Sequence, residues 1–329
     1  MVTNGVYATD GWTVDGTTTN RVAVDKPLTV RRVNDKEATI IDGLGAMRCV
    51  YLTSNATLVG FTLTNGYAWD GGGVYCESTD AFFTNCVIAG NSAPNGLGGG
   101  ACGCTLYNCI VYFNTALDRA NFYRDEYGGC LNYCCTKPKP TNGVGNITNA
   151  PLFVDYAGGN VRLQSNSPCI NAEINAFVTA ATDLDGRPRI VGGTVDIGAY
   201  EYQTPVSMIS YAWLQQYGLP ITTNTDTADL DGTGFNVYQD WVAGLNPTNA
   251  LSVLKMLAPV RTNNPAGLVV TWESVNTRTY YLQRSTNLAA QPAFTTIQSN
   301  IVGQASTTSY ADTTATNAGP YFYRVGVGN

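Results

Sequence analysis

A pattern that returns about every 25 residues constrains this chain more than any other feature. Leu58-Val-Gly-Phe61-Thr-Leu63, Phe83-Thr-Asn-Cys86-Val-Ile88 and Leu106-Tyr-Asn-Cys109-Ile-Val111 align without gaps, and Leu131-Asn-Tyr-Cys134 begins a fourth copy. Phe61, Cys86, Cys109 and Cys134 follow one another at 25, 23 and 25 residues. Leu28-Thr-Val-Arg31-Arg-Val33 aligns as an earlier, less regular copy. A second short strand precedes the copies: Val22-Ala-Val24, Val50-Tyr-Leu52, Val74-Tyr-Cys76 and Gly100-Ala-Cys102. Turn residues follow the copies at Asn65-Gly66, Gly90-Asn91 and Asn114, and Gly71-Gly72-Gly73 and Gly98-Gly99-Gly100 introduce two of the preceding strands. Such a repeat buries its apolar side only by stacking on its neighbours. With no helical segment in the repeat, a leucine-rich repeat is disfavoured and a parallel β-helix is expected, each coil about 4.8 Å above the last. Three inward ladders follow: Leu58/Phe83/Leu106, Leu63/Ile88/Val111 and Phe61/Cys86/Cys109/Cys134.

Composition narrows the chemistry. The chain of 329 residues contains no histidine, which excludes a Ser-His-Asp triad, a Cys-His pair and any His-ligated metal. Acid-base work would fall to carboxylates, Lys, Tyr or Cys. A hydrophobic share of 44% can bury a core, and a net charge of -6 argues against a basic nucleic-acid surface. No apolar run approaches the roughly 18 residues of a membrane span. All ten cysteines lie between Cys49 and Cys169. That segregation predicts a domain boundary after about residue 200, and ten cysteines in a Thr/Asn/Gly-rich chain predict an exported protein in which disulfides persist. Stacked cysteines point the same way, so bridges and a buried thiol ladder are both open. The cysteine spacing lacks the paired knuckles of a zinc site. Met1-Val2-Thr3-Asn4-Gly5 shows no signal-peptide pattern, as in a mature or trimmed chain.

Residues 1–202 are therefore read as β-helix, 203–250 as a helix-loop-helix connector and 251–329 as a β-sandwich, making the chain mainly β. In the connector a helix is predicted from Ile209 to Leu219, stopped by Gly218 and Pro220. Asp229-Leu-Asp231-Gly-Thr233-Gly234-Phe235 then reads as a Ca²⁺ loop. Asp229, Asp231 and Thr233 would offer side-chain oxygens, Phe235 its carbonyl and Asp240 the closing carboxylate, with Gly234 at the sharp turn. Thr in the third liganding position and the short Asp240 depart from the usual loop. Tyr238 to Gly244 would be the exiting helix. Beyond it, Leu268–Trp272, Tyr280–Arg284, Phe294–Ile297 and Tyr321–Val325 alternate like half-buried strands, about seven in all, with Trp272 in the core.

These motifs carry resemblances. Residues 3–202 resemble a bacterial right-handed parallel β-helix protein of the pectin-lyase-like superfamily. Thr182-Asp-Leu-Asp-Gly-Arg-Pro-Arg189 with Gly193-Thr-Val-Asp196-Ile-Gly-Ala-Tyr-Glu201-Tyr202 resembles the choice-of-anchor Q domain of surface and secreted proteins. Pro151–Asp155 and Leu163–Asn171 are similar to that family's final coils. The connector resembles EF-hand-like modules, with Leu245-Asn-Pro247 as its exit, and the C-terminal segment resembles a fibronectin type III domain. The resemblance implies an extracellular or cell-surface setting and a calcium ion of structural use.

Such β-helices usually open with a helix that plugs the first coil, whereas a strand is expected here near Gly5-Val6-Tyr7. An open β-helix end templates pairing. The reading is thus a structural or adhesive protein that meets other copies of itself head to tail, in filaments, or meets a surface polysaccharide. The alternatives are a polysaccharide lyase or glycoside hydrolase and a carbohydrate-binding protein. An enzyme would draw on corner carboxylates, for which Asp70, Asp125 and Glu126 are the candidates. A binding protein would show a row of exposed aromatics instead.

Overall fold

Stacking of the repeat produces three long parallel sheets and a short fourth that pairs Ser92–Leu97 with Thr115–Asp118. The computed structural model describes residues 2–328 apart from 4, 15, 33–38, 124–127, 179, 264 and 265. The first sheet stacks Gly5–Tyr7, Thr39–Asp42, Thr62–Thr64, Val87–Ala89, Ile110–Tyr112 and Cys135–Thr136. The second stacks Thr29–Arg31, Thr57–Val59, Phe82–Thr84, Thr105–Tyr107 and Leu131–Asn132. The third stacks Thr19–Val24, Arg48–Leu52, Val74–Cys76, Ala101–Cys102 and Phe122–Tyr123, with Trp12–Thr13 added antiparallel at its edge. The chain passes through the third, second and first sheets in turn, as a parallel β-helix requires. At the first coil, Val6 and Trp12 are exposed.

The predicted ladders are the inner core. Leu58 pairs with Phe83, Phe83 with Leu106 and Leu106 with Leu131, while Leu63, Ile88 and Val111 form the second column. Phe61, Cys86, Cys109 and Cys134 are fully enclosed with them. The corner between the second and first sheets is a single left-handed residue, Gly60, Asn85, Asn108 or Tyr133. Asparagine tolerates that conformation because its short amide bonds locally, and here Asn108 Nδ2 donates to Asn85 Oδ1 one coil away (2.6 Å). A second amide ladder lines the next corner, where Asn91 N donates to Asn114 Oδ1 and Asn114 N to Asn121 Oδ1. The glycine clusters answer to close approach: a Cβ on Gly99 would sit 1.9 Å from the Thr115 carbonyl oxygen.

Two alignments shift. Val30, not Leu28, pairs with Leu58, so the first copy slips by two residues; Val33 of that copy lies outside the described residues. Ala101, not Gly100, pairs with Val74, which sets Cys102 opposite Tyr75 on the outer face. A one-residue slip exchanges the faces of a strand, and the gap of 23 residues is where it occurs. One disulfide forms, Cys76–Cys104, between side chains from adjacent coils. Cys86, Cys109 and Cys134 remain a thiol ladder, each donating to the carbonyl of Leu58, Phe83 or Leu106.

Among the described residues of 150–223 no further parallel coil is formed, contrary to the expectation for the segment after Pro151. Phe153–Asp155 and Asn160–Leu163 make an antiparallel hairpin, followed by a 3-10 turn Asn175–Phe177 and helix α1, Tyr211–Gln216. This return layer covers the outer face of the first sheet. Val87, Ala89, Ile110 and Cys135 meet Phe153, Leu163, Cys169, Ile170, Ile197 and Tyr211 in a second core. A parallel sheet buried on both faces needs continuous apolar strands, which accounts for Cys86-Val-Ile-Ala89 and Cys109-Ile-Val-Tyr112.

The chain divides into two compact units, Met1–Thr223 and Asn224–Asn329. In the second, helix α3 (Val237–Ala243) follows the predicted Ca²⁺ loop; the short helix α2 is Thr223–Thr227. Asn236 Oδ1 caps α3 by accepting from Gln239 N, Asn236 N donates in return to Gln239 Oε1, and Gly244 closes the helix in the left-handed conformation. Arg278 donates to the carbonyls of Trp241 and Val242 at the helix C-terminus, where a cation also suits the helix dipole. The sandwich has six strands rather than seven among the described residues, in two antiparallel sheets of three. Val270 and Trp272 from one sheet pack on Tyr280 and Leu282 from the other.

Candidate functional site

Alternation along the third sheet sends Val22, Val50, Val74, Ala101 and Phe122 inward. Their neighbours Ala23, Tyr51, Tyr75, Cys102 and Tyr123 therefore form an outward row, each in register with the next. The rings of Tyr51 and Tyr75 lie 6.4 Å apart and within 15° of parallel. Arg48 braces Tyr75, its guanidinium carbon 4.9 Å from the centre of that ring. That guanidinium is itself held, since Nε donates to Gly71 O, Nη1 to Asn20 Oδ1 and Nη2 to Asp70 O. The loop that supplies Asp70 and Gly71 also presents Trp69, 66% exposed. The row is thus a set of fixed, half-buried tyrosines interrupted by the buried Cys102 and set beside a buried cation, with the exposed Trp69 on the loop that anchors that cation. Beside it, Thr53 Oγ1 donates to Glu77 Oε2 (2.6 Å).

Of the three predicted catalytic carboxylates, only Asp70 lies among the described residues. Asp70 Oδ1 accepts from Leu97 N (2.7 Å), the role of a turn residue. Asp125 and Glu126 lie outside the described residues. The Tyr51/Tyr75 row was legible from the strand alignment, which places both tyrosines one residue after an inward valine.

The loop expected to bind Ca²⁺ is built around its own backbone. Asp229 Oδ1 accepts from Gly232 N and Oδ2 from Gly234 N, at 2.8 and 2.9 Å. These N–H groups, that of Gly234 foremost, hold the Asp229 carboxyl below its ordinary range. Asp231 Oδ1 accepts from Thr233 N, and Thr233 Oγ1 from Phe235 N. Among the described residues no three acidic or thiol side chains converge as a ready-made metal centre. Even so, three buried oxygens of this loop lack donors: Asp231 Oδ2 and both oxygens of Asp240. Asp240 is 1% exposed. Burial first, then the charges of Asp231 and Asp229, push its carboxyl up to about 6. Buried carboxylate oxygens without donors require protons or a cation, so the donor set fits a hard cation through Asp231 and Asp240. Asp229 would have to exchange its N–H partners to join them.

A third cluster lies in the return layer. Asp183 accepts from the N–H groups of Asp185, Arg187 and Glu201; Asp196 from those of Asn171 and Tyr202; Glu201 from those of Val191 and Asp196. Arg189 Nη1 lies 3.6 Å from Glu201 Oε2, and Nη2 donates to Asn85 Oδ1 on the corner of the β-helix. Burial raises Asp196 to about 7 and Glu201 to about 9. These acids are spent on folding the layer. Glu173 differs: it is 3% exposed, neither carboxylate oxygen has a partner, and burial raises it to about 8.

No family model, curated protein or solved structure matches the chain.

Proposed function

We propose that this is an exported structural and adhesive protein whose β-helix holds a polysaccharide against the tyrosine row of its third sheet. The parallel stack of Tyr51 and Tyr75, steadied by Arg48, carries the reading. Rings fixed on a rigid sheet lose little entropy on binding, and the half-buried tyrosines with the exposed Trp69 beside them offer apolar surface to the C–H faces of sugars. Cys76–Cys104 suits an oxidising compartment. On this reading the first unit is a right-handed, pectin-lyase-like surface β-helix with a choice-of-anchor Q-like return layer. Residues 229–240 are an EF-hand-like loop that takes Ca²⁺ through Asp231 and Asp240, bracing α3, and the sandwich is a fibronectin type III-like spacer. Copies meet head to tail at the first coil, where Val6 and Trp12 stand exposed; light scattering that stays monomeric across concentration removes that part.

The binding test is affinity electrophoresis of the whole chain through gels containing pectin, alginate or neutral glucans. Retardation by at least one polymer is expected. Tyr75→Ala should weaken it about tenfold, close to 1.4 kcal/mol, at a temperature where circular dichroism shows the variant still folded. Migration unaffected by every polymer, or retardation indifferent to Tyr75→Ala and Tyr51→Ala, refutes the site.

A further inference from the structure

Eight cysteines are thiols in the structure, and they differ in what surrounds them. Cys86, Cys109 and Cys134 point inward in register, each donating to a backbone carbonyl one coil away. Cys135 is the next residue along the chain and therefore points outward, into the second core. Its backbone is fixed, since its N–H donates to Cys109 O (2.9 Å). Cys169 reaches the same core from the return layer, where its N–H donates to Ser167 Oγ and its carbonyl accepts from Ile197 N. Both are completely buried. The Cys135 thiol donates its proton to Asn149 O (3.2 Å) and has the Cys169 thiol as its neighbour, with Tyr112 beside the pair. Cys135 and Cys169 are thus a facing pair from two different layers, whereas the inner ladder is a column pointing one way.

We infer that Cys135 and Cys169 are oxidised to a second disulfide that fastens the return layer to the β-helix. The oxidant is a disulfide, supplied by a thiol–disulfide oxidoreductase or by oxidised glutathione. One cysteine loses its thiol proton and attacks that disulfide, giving a mixed disulfide and releasing one donor thiol. The second cysteine loses its proton, attacks the protein sulfur of the mixed disulfide and releases the other donor thiol. Two thiols are oxidised, one disulfide is reduced to two thiols, and the two protons pass to the departing thiolates. Burial strongly disfavours the thiolate of Cys135 in the finished fold, so the exchange precedes closure of the second core, while the return layer is still docking. Cys76–Cys104 ties coil to coil; Cys135–Cys169 ties coil to cover, and it guards the contact that buries the outer face of the first sheet. The inference goes beyond the adhesive reading and is independent of any glycan.

The test is peptide mapping of the whole chain after refolding in a glutathione redox buffer, alkylation in denaturant without reductant, and fragmentation that separates Cys134 from Cys135. A cross-linked peptide containing Cys135 and Cys169 is expected, about 2 Da lighter than the sum of its reduced halves. Cys134→Ser should keep it, and Cys135→Ser should lose it and leave Cys169 alkylated. Hydrogen exchange at the Ile197 amide should quicken in Cys135→Ser and on adding reductant to the wild type, and not in Cys134→Ser. Recovery of Cys169 alkylated from the refolded wild type overturns the inference, as does a cross-link to Cys169 that survives Cys135→Ser. Polysaccharide retardation is read separately, so failure of either proposal leaves the other standing.

Discussion

Replacing Glu173 with glutamine tests whether the return layer holds a carboxyl group that folding must protonate. The unfolded carboxyl ionises near pH 4.5 and the native one near pH 8, because burial opposes its charge and no donor meets either oxygen. A raised native value means that stability is fully present below about pH 4.5 and is lost as the pH climbs through about 8. At pH 7 folding binds one extra proton, at a cost of about 3 kcal/mol, and the loss levels off near 5 kcal/mol above pH 8. The amide of Glu173→Gln keeps the volume and brings its own desolvation cost of about 1–3 kcal/mol. That cost does not vary with pH, so the signature is a slope rather than an offset. Asp196 and Glu201 titrate in both proteins and cancel in the difference. Pulse proteolysis in urea, read on fragments of the first unit, should show the variant gaining about 3 kcal/mol on the wild type between pH 4 and pH 7. A difference that stays constant over that range would refute the argument and mean that Glu173 is charged and partnered in the fold.

Two further outcomes follow from the other sites. Saturating Ca²⁺ should raise the melting temperature of the second unit, and EDTA should reverse the rise. Asp240→Asn should abolish the response while stabilising the metal-free protein above pH 6, because the buried charge is gone; an unchanged melt with EDTA sinks the calcium assignment. Phe83→Ala removes a fully buried ring from the middle of an inner ladder and should cost the first unit about 3–5 kcal/mol in urea unfolding. A cost under about 1 kcal/mol would show that the ladder is not the core.

Much of the β-helix was legible because a solenoid converts tertiary contact into sequence period. Residues one coil apart are spatial neighbours, so the columns through Phe83, Ile88 and Cys109 could be written down from spacing alone. Helix α3 was legible for a local reason, since Tyr238–Gly244 ends on a glycine free to adopt the left-handed cap. The candidate site was half legible. The tyrosines stand in aligned strands, but the bracing of Tyr75 by Arg48 depends on carbonyls of a loop one coil away.

What the sequence by itself determined is the repeat, its inner ladders, its corners and the exclusion of histidine chemistry, all properties of short range or constant period. Only the tertiary structure decided the rest. Register within a gap of 23 residues moved Cys102 to the outer face. The pairing of Cys76 with Cys104 followed from two side chains at different positions in adjacent coils. The return layer folded over the first sheet because that sheet's outer residues are also apolar, and a repeat period does not say which segment will cover them. Glu173 and Asp240 lost their water in the same way: burial is a property of the whole fold, and no spacing announces it.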